Sequence, residues 1–218
     1  MPDIIYLKDY QRMSQIAADI VQNTVGRNRH TNLGLPTGNT PIGMYKTLSE
    51  RVINWSTVST FNLDEYHDLA HDHPDSFHSY MQRHLWSFAN VASSYWPSEN
   101  YDDLIDRCGG LDLTILGIGQ NGHIAYNEPG SSFDSTTRVV ELSSSTRQQI
   151  AANFDDIVPQ YAYTMGLSTI MSSRKILLMA CGQHKLNVLR AALWQSPVDK
   201  IPASVLQYHR DLTVLYCD

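Results

Sequence analysis

The chain is poor in cysteine. Its three, Cys108, Cys181 and Cys217, are odd in number, and no Cys-x-x-Cys occurs. A disulfide framework or zinc knuckle is not expected, and a reducing cytoplasm is the natural setting. The start, "MPDIIYLKDYQRM", lacks a basic segment followed by an apolar run, so no signal peptide is read there. No apolar stretch reaches membrane-spanning length. Positive charge is also scarce: 16 Lys and Arg stand against 22 Asp and Glu, a net charge of −6. Nucleic acid and anionic membranes need clustered cations, so neither is expected as a partner. A small anionic substrate stays compatible, because one site can be positive on an acidic protein. Repeats, low-complexity linkers and a Gly-Lys-Ser/Thr Walker loop are absent too, and the last absence removes an ATPase reading.

What is present is ordinary for a globular protein: 42% hydrophobic and 17% charged residues over 218 positions, read as one domain, 1–218. Short β-rich runs alternate with helical spacing. Residues 3–7 ("DIIYL") read as a strand. Met13, Ile16, Ala17, Ile20 and Val21 then mark an amphipathic helix that Gly26 can close. "TNLGL", "VSTFNL", "LDLTIL", "KILLMA" and "LTVLYC" read as strands. "TPIGMYKTLSER", "DSFHSYMQRHLW" and "QHKLNVLRAALW" read as helices. The alternation predicts an α/β fold: a mostly parallel sheet with helices on both faces, Rossmann-like and doubly wound. In such sheets ligands bind beyond the carboxyl ends of the strands.

Four predicted strand ends carry chemistry. "LPTGNTP" follows "TNLGL", with Thr40 as helix N-cap and Pro41 in the first turn. Gly38 lets the backbone turn, and Thr37, Asn39 and Thr40 add donors at a helix start, where anions bind. In "FNLDEY", Asp64 is a carboxylate at the end of an apolar strand, suited to a general base if burial raises its pKa. "GIGQNGHIAYNEPG" (residues 117–130) frames His123 with Gly117, Gly119 and Gly122. Glu128 lies five residues on, too far for one helical face, but a loop that folds back lets it hold the imidazole. In "ACGQHK", Lys185 falls early in the next helix, unfavourable for the dipole unless an anion sits there. Each feature alone also allows a plainer reading: a capped joint, an ion pair, a loop histidine, a solvated lysine. Together they place an anion loop, a carboxylate, a His–Glu pair and a lysine where one cleft would form.

"LGLPTGNTP", "FNLDEY", "GIGQNGHIAYNEPG" and "SVLQYH" resemble the glucosamine-6-phosphate deaminase family, in order across nearly the whole chain. The resemblance implies conversion of an amino-sugar 6-phosphate to a ketose 6-phosphate plus ammonia, with no metal and no organic cofactor. It implies that His123, oriented by Glu128, opens the sugar ring and that Asp64 is the enolisation base. Gly38, Asn39, Thr40 and Lys185 match phosphate-contacting positions, and Gly117 a backbone contact to the sugar. It also implies a mobile lid around 138–165. Many members have Asp where this chain has Asn121, and the family usually carries a lid arginine where "STRQQIAANF" has Ala152, with Arg147 nearby. Longer relatives continue past "LTVLYCD" with an extension that accompanies allosteric control in hexamers, so such control is not expected here; homo-oligomerisation stays open. Alternatives on the same fold are a galactosamine-6-phosphate deaminase, a 6-phosphogluconolactonase and a non-catalytic sugar-phosphate sensor. The histidine-rich stretch "HDLAHDHPDSFHSYMQRH" tempts a metal assignment, but Pro74 limits a helix there and rim histidines are expected instead.

Overall fold

A computed structural model describes residues 4–152, 154 and 158–218. Asp3, expected to open the first strand, lies outside the described residues, as do residues 153 and 155–157 of the expected lid. The strands are β1 (Ile4–Leu7), β2 (Thr31–Leu35), β3 (Val58–Asn62), β4 (Asp64–Tyr66), β5 (Ser93–Tyr95), β6 (Leu113–Gly117), β7 (Arg138–Glu141), β8 (Tyr161–Thr164), β9 (Ile176–Cys181) and β10 (Leu212–Cys217). The helices are α1 (Tyr10–Arg27), α2 (Ile42–Ser49), α3 (Phe77–Met81), α4 (Tyr101–Arg107), α5 (Ser144–Ala151), α6 (Leu167–Met171) and α7 (Leu186–Trp194).

Seven strands form one sheet in the order β1-β10-β9-β6-β2-β3-β5, with every neighbouring pair parallel. Buried strands read as continuous apolar runs because both faces are covered. In β9, Leu177 and Met179 pack with Met13 and Val21 of α1, while Ile176, Leu178 and Ala180 pack with Ile105 of α4 and Leu189 of α7. The period-2 alternation thus sends side chains into two cores, one per face. Gly34 in β2 is required by proximity: a Cβ there would lie 2.6 Å from Thr114 Oγ1 on β6. From β2 the chain continues outward to β3 on one side, whereas β6 pairs on the other. The order therefore switches direction between β2 and β6, and the crevice beyond their carboxyl ends is the expected ligand position.

A second sheet, β4-β8-β7, is antiparallel and was not foreseen. Its strands have three or four residues each, too short to show a period. Leu63 joins the two sheets: its N–H donates to Leu35 O of β2 (3.2 Å), and its carbonyl accepts from Met165 N–H just after β8 (2.7 Å).

Three local expectations are corrected. α1 does not close at Gly26; it runs to Arg27 and ends at an extended Asn28. "DSFHSYMQRHLW" is not one α-helix: α3 stops at Met81 and a wider π turn covers Gln82–Trp86, with Ser87 N–H donating to Gln82 O at 3.0 Å. Lys185 closes a 3-10 turn, Gln183–Lys185, ahead of α7. The three cysteines are free. Among the described residues no helix is long and apolar enough to cross a membrane.

Candidate active site

The turn after β2 is built on Gly38, whose φ of +81° suits glycine. Thr40 does not cap α2. Pro41 occupies the N-cap position, without a side-chain cap. The reason is a tyrosine from α1: Tyr10 Oη accepts from Gly43 N–H (2.8 Å) and donates to the carbonyls of Asn39 (3.1 Å) and Thr40 (3.0 Å). One hydroxyl thus does the capping and leaves the Thr40 side chain free to face the crevice. Tyr80 on α3 donates to Gly38 O at 2.6 Å and holds the turn from the other side.

Asp64 and Glu65 are adjacent buried carboxyls with separate roles, at 8% and 5% exposure. Glu65 accepts from the N–H groups of Tyr66 (2.8 Å), Phe77 (3.0 Å) and His78 (2.8 Å), so it satisfies free donors in the first turn of α3 beside the N-cap Ser76. Asp64 has no hydrogen-bond partner for its carboxyl among the described residues. Burial, and then the negative Glu65 beside it, push its pKa up to about 8. A carboxyl poised near neutral pH is what a general base requires.

After β6 the loop folds back as expected. Gly119 N–H donates to His123 O at 2.9 Å. The imidazole lies against Gly119, where a Cβ would come within 2.3 Å of His123 Cε1. Gly122 turns the chain at φ +87°, and Ala125 takes φ +50°, a left-handed conformation rare for alanine. Nδ1 of His123 faces Glu128 Oε2 at 3.7 Å, ion-pair range rather than a hydrogen bond. Asn121 Nδ2 donates to Glu128 Oε2 (2.6 Å), and its Oδ1 accepts the His123 N–H (3.2 Å). Glu128 Oε1 also accepts from Thr146 Oγ1 and, at 3.3 Å, from Ser143 Oγ, the N-cap of α5. Burial alone would raise the Glu128 carboxyl. The nearby His123 and the hydrogen bonds from Thr146 and Asn121 outweigh it and hold the pKa down to about 2. Asn127 has a structural task, donating to the carbonyls of Ile124 and Met165.

One cavity of about 570 Å³ is lined by Thr37, Gly38, Asn39, Thr40, Asp64, Gly117, His123 and Lys185. Eight of the ten sequence-derived site residues thus meet in one hollow. Asn121 and Glu128 do not line it; Glu128 lies beside the imidazole and Asn121 bonds to Glu128 and to the His123 backbone. Burial lowers the pKa of Lys185, and Cys181 nearby opposes that shift. Ala152 is exposed as the C-cap of α5, and neither it nor Arg147 lines the cavity.

Sequence reasoning missed an aromatic wall of Tyr66, Phe77, Tyr126 and Phe154, with Tyr66 and Phe77 4.4 Å apart between ring centroids. It also missed Tyr80, Arg83 and His84, which line the cavity from α3 and the π turn. Their i, i+3, i+4 spacing was the available signal. Elsewhere in the histidine-rich stretch, His71 packs tilted and His78 edge-on against Trp96, and among the described residues no three His, Cys, Asp or Glu come together to hold a metal.

A family model described as glucosamine-6-phosphate isomerases/6-phosphogluconolactonase matches residues 9–215. A glucosamine-6-phosphate deaminase of Geobacillus sp. (strain WCH70) is 42% identical, covering 97% of this chain and 92% of its own length. One from Clostridium botulinum (strain Eklund 17B / Type B) is 40% identical with the same coverage. Among solved structures, a monomeric glucosamine-6-phosphate deaminase superposes with a TM-score of 0.94 at 38% identity, covering 100% of this chain and 97% of that one. A 6-phosphogluconolactonase of Thermotoga maritima reaches 0.80 at 21% identity, covering 100% of this chain and 99% of that one, a likeness of fold alone.

Proposed function

Because the chain belongs to the family of glucosamine-6-phosphate isomerases and 6-phosphogluconolactonases, we infer that it acts as a glucosamine-6-phosphate deaminase, converting glucosamine 6-phosphate and water to fructose 6-phosphate and ammonia. One observation carries the assignment of roles: a buried carboxyl poised near pH 8, an imidazole braced by a carboxylate and an anion turn with a lysine share one cavity.

The turn at Gly38, Asn39 and Thr40, with Lys185, holds the phosphate, and Gly117 approaches the sugar through its backbone. His123 moves the proton from the anomeric hydroxyl to the ring oxygen, which opens the pyranose. Glu128, held anionic, stabilises the imidazolium formed on the way. Asn121 fixes Glu128 and the loop together. Asp64 takes the C2 proton and returns it to C1, while a proton passes from the amino nitrogen to O1, leaving a 2-imine. Water adds to the imine and ammonia departs. The lid lies within residues 138–165, with β7 and β8 as its fixed flanks and α5, which contributes Gln149 and Ile150 to the cavity, as the moving part.

The test is ammonia release from glucosamine 6-phosphate, galactosamine 6-phosphate and both unphosphorylated sugars. Release from glucosamine 6-phosphate well above the other three is the expected result. Equal turnover of unphosphorylated sugars would remove the anion-turn assignment. Hydrolysis of 6-phosphogluconolactone without ammonia release would make the protein a lactonase.

A further inference from the structure

We propose that Arg83 is the second cation of the phosphate subsite, acting with Lys185 to set preference for a phosphorylated sugar; this rests on the sugar-phosphate reading above. A phosphate monoester carries about −1.5 to −2 charges at neutral pH. Lys185 is half-buried, and burial disfavours its charged form. Asp64 and Asp75 add carboxyls to the same lining. One such lysine leaves a dianion undercompensated. Among the described lining residues, Arg83 is the one other side chain with a permanent positive charge.

Its guanidinium is available. Arg51 pairs with Asp19 at 2.7 Å and Arg174 with Asp112 at 3.0 Å, whereas Arg83 makes no ion pair among the described residues. Among the described residues its guanidinium makes one hydrogen bond, from Nη1 to Pro74 O at 2.7 Å. That bond orients the fork and leaves other N–H groups for a bidentate contact with an oxyanion. The element beneath it is tied to the anion turn, since Tyr80, three residues earlier, donates to Gly38 O. Arg83 sits in the π turn, a local widening that recurs at functional sites. Against this, α5 brings no charge to the cavity: Gln149 and Ile150 line it, Arg147 and Ala152 do not.

A plainer role is a brace for the Pro74 carbonyl. Arg83→Gln retains an N–H donor for that carbonyl and removes the charge, and Arg83→Lys retains the charge without the fork. For Arg83→Gln, KM for glucosamine 6-phosphate should rise about 10–100-fold with a much smaller fall in kcat, and Arg83→Lys should recover part of the loss. Inhibition by inorganic phosphate should weaken in parallel. Calorimetric titration with glucose 6-phosphate reads the same subsite without turnover, so a failure of the deaminase reading is seen separately, as absent ammonia release by the wild type. Affinity for glucose 6-phosphate within twofold of wild type in Arg83→Gln, beside a large loss in Lys185→Ala, would overturn the proposal. So would a fall in kcat with phosphate inhibition unchanged, the signature of a brace.

Discussion

At the scale of single residues, the chain separates two adjacent carboxyls by giving one of them every available donor. Glu65 takes three N–H groups, while Asp64 is left to the cavity with a pKa near 8. kcat/KM should therefore climb with pH toward a shoulder near about 8, as the base loses its proton. Asp64→Asn should lower kcat by about 10²–10⁴-fold. It should also stabilise the protein at alkaline pH. An unfolded aspartate titrates near about 3.9, so between there and about 8 the folded chain keeps a proton that the unfolded chain has lost. Wild-type stability then falls as pH rises through that window, and the variant has no such slope. Its melting temperature should exceed the wild type's by roughly 4 °C or more at pH 9, and by much less at pH 5. Equal melting curves at both values would mean that the carboxyl is not desolvated. Glu128 has the opposite sign. Its depressed pKa contributes stability above about 4 that is lost as pH falls toward about 2. Glu128→Gln keeps the shape and removes the charge facing Nδ1, so kcat should drop about 10²-fold with KM nearly unchanged. "FNLDEY" made Asp64 legible as the carboxyl at the strand end, but the task of Glu65 was not, because its N–H donors at Phe77 and His78 lie more than ten residues on.

At the scale of elements, the loop after β6 was read correctly in kind because its glycines can be justified one by one. Gly119 is the clearest case. Gly119→Ala would put a methyl into the imidazole ring, and displacing the ring by about 1 Å can cost about 10²-fold in rate. Steady-state assays should show that loss while the melting temperature moves by only a few degrees. The long central strands and α1 were legible from their apolar periodicity. β4, β7 and β8 were not, since three or four residues cannot display alternation. The π turn was invisible for a similar reason: an inserted residue shifts bonding from i+4 to i+5 without changing composition.

At the scale of the whole molecule, a cavity fed by the ends of β2, β3, β6 and β9 couples ligand binding to global stability. Fructose 6-phosphate at about 100 times its Kd should add about 2.7 kcal/mol, a rise of roughly 5–10 °C in melting temperature. Unphosphorylated fructose at the same concentration should give almost none, which differential scanning calorimetry would show. Convergence of residues 37–40, 64, 117, 123 and 185 was legible because doubly wound sheets collect their ligands at one rim. The aromatic wall was not, because its members come from separate segments: Tyr66 on β4, Phe77 on α3, Tyr126 in the loop after β6 and Phe154 after α5.

Leu63, bonded to β2 on one side and to the end of β8 on the other, marks a seam with different tasks on either side. The grip on the anion hangs from the large sheet, while the rings of Tyr66, Phe77, Tyr126 and Phe154 are mounted with the small one. An engineer seeking a different sugar could recut those rings and leave the anchorage alone, exchanging one half of the pocket as a cartridge.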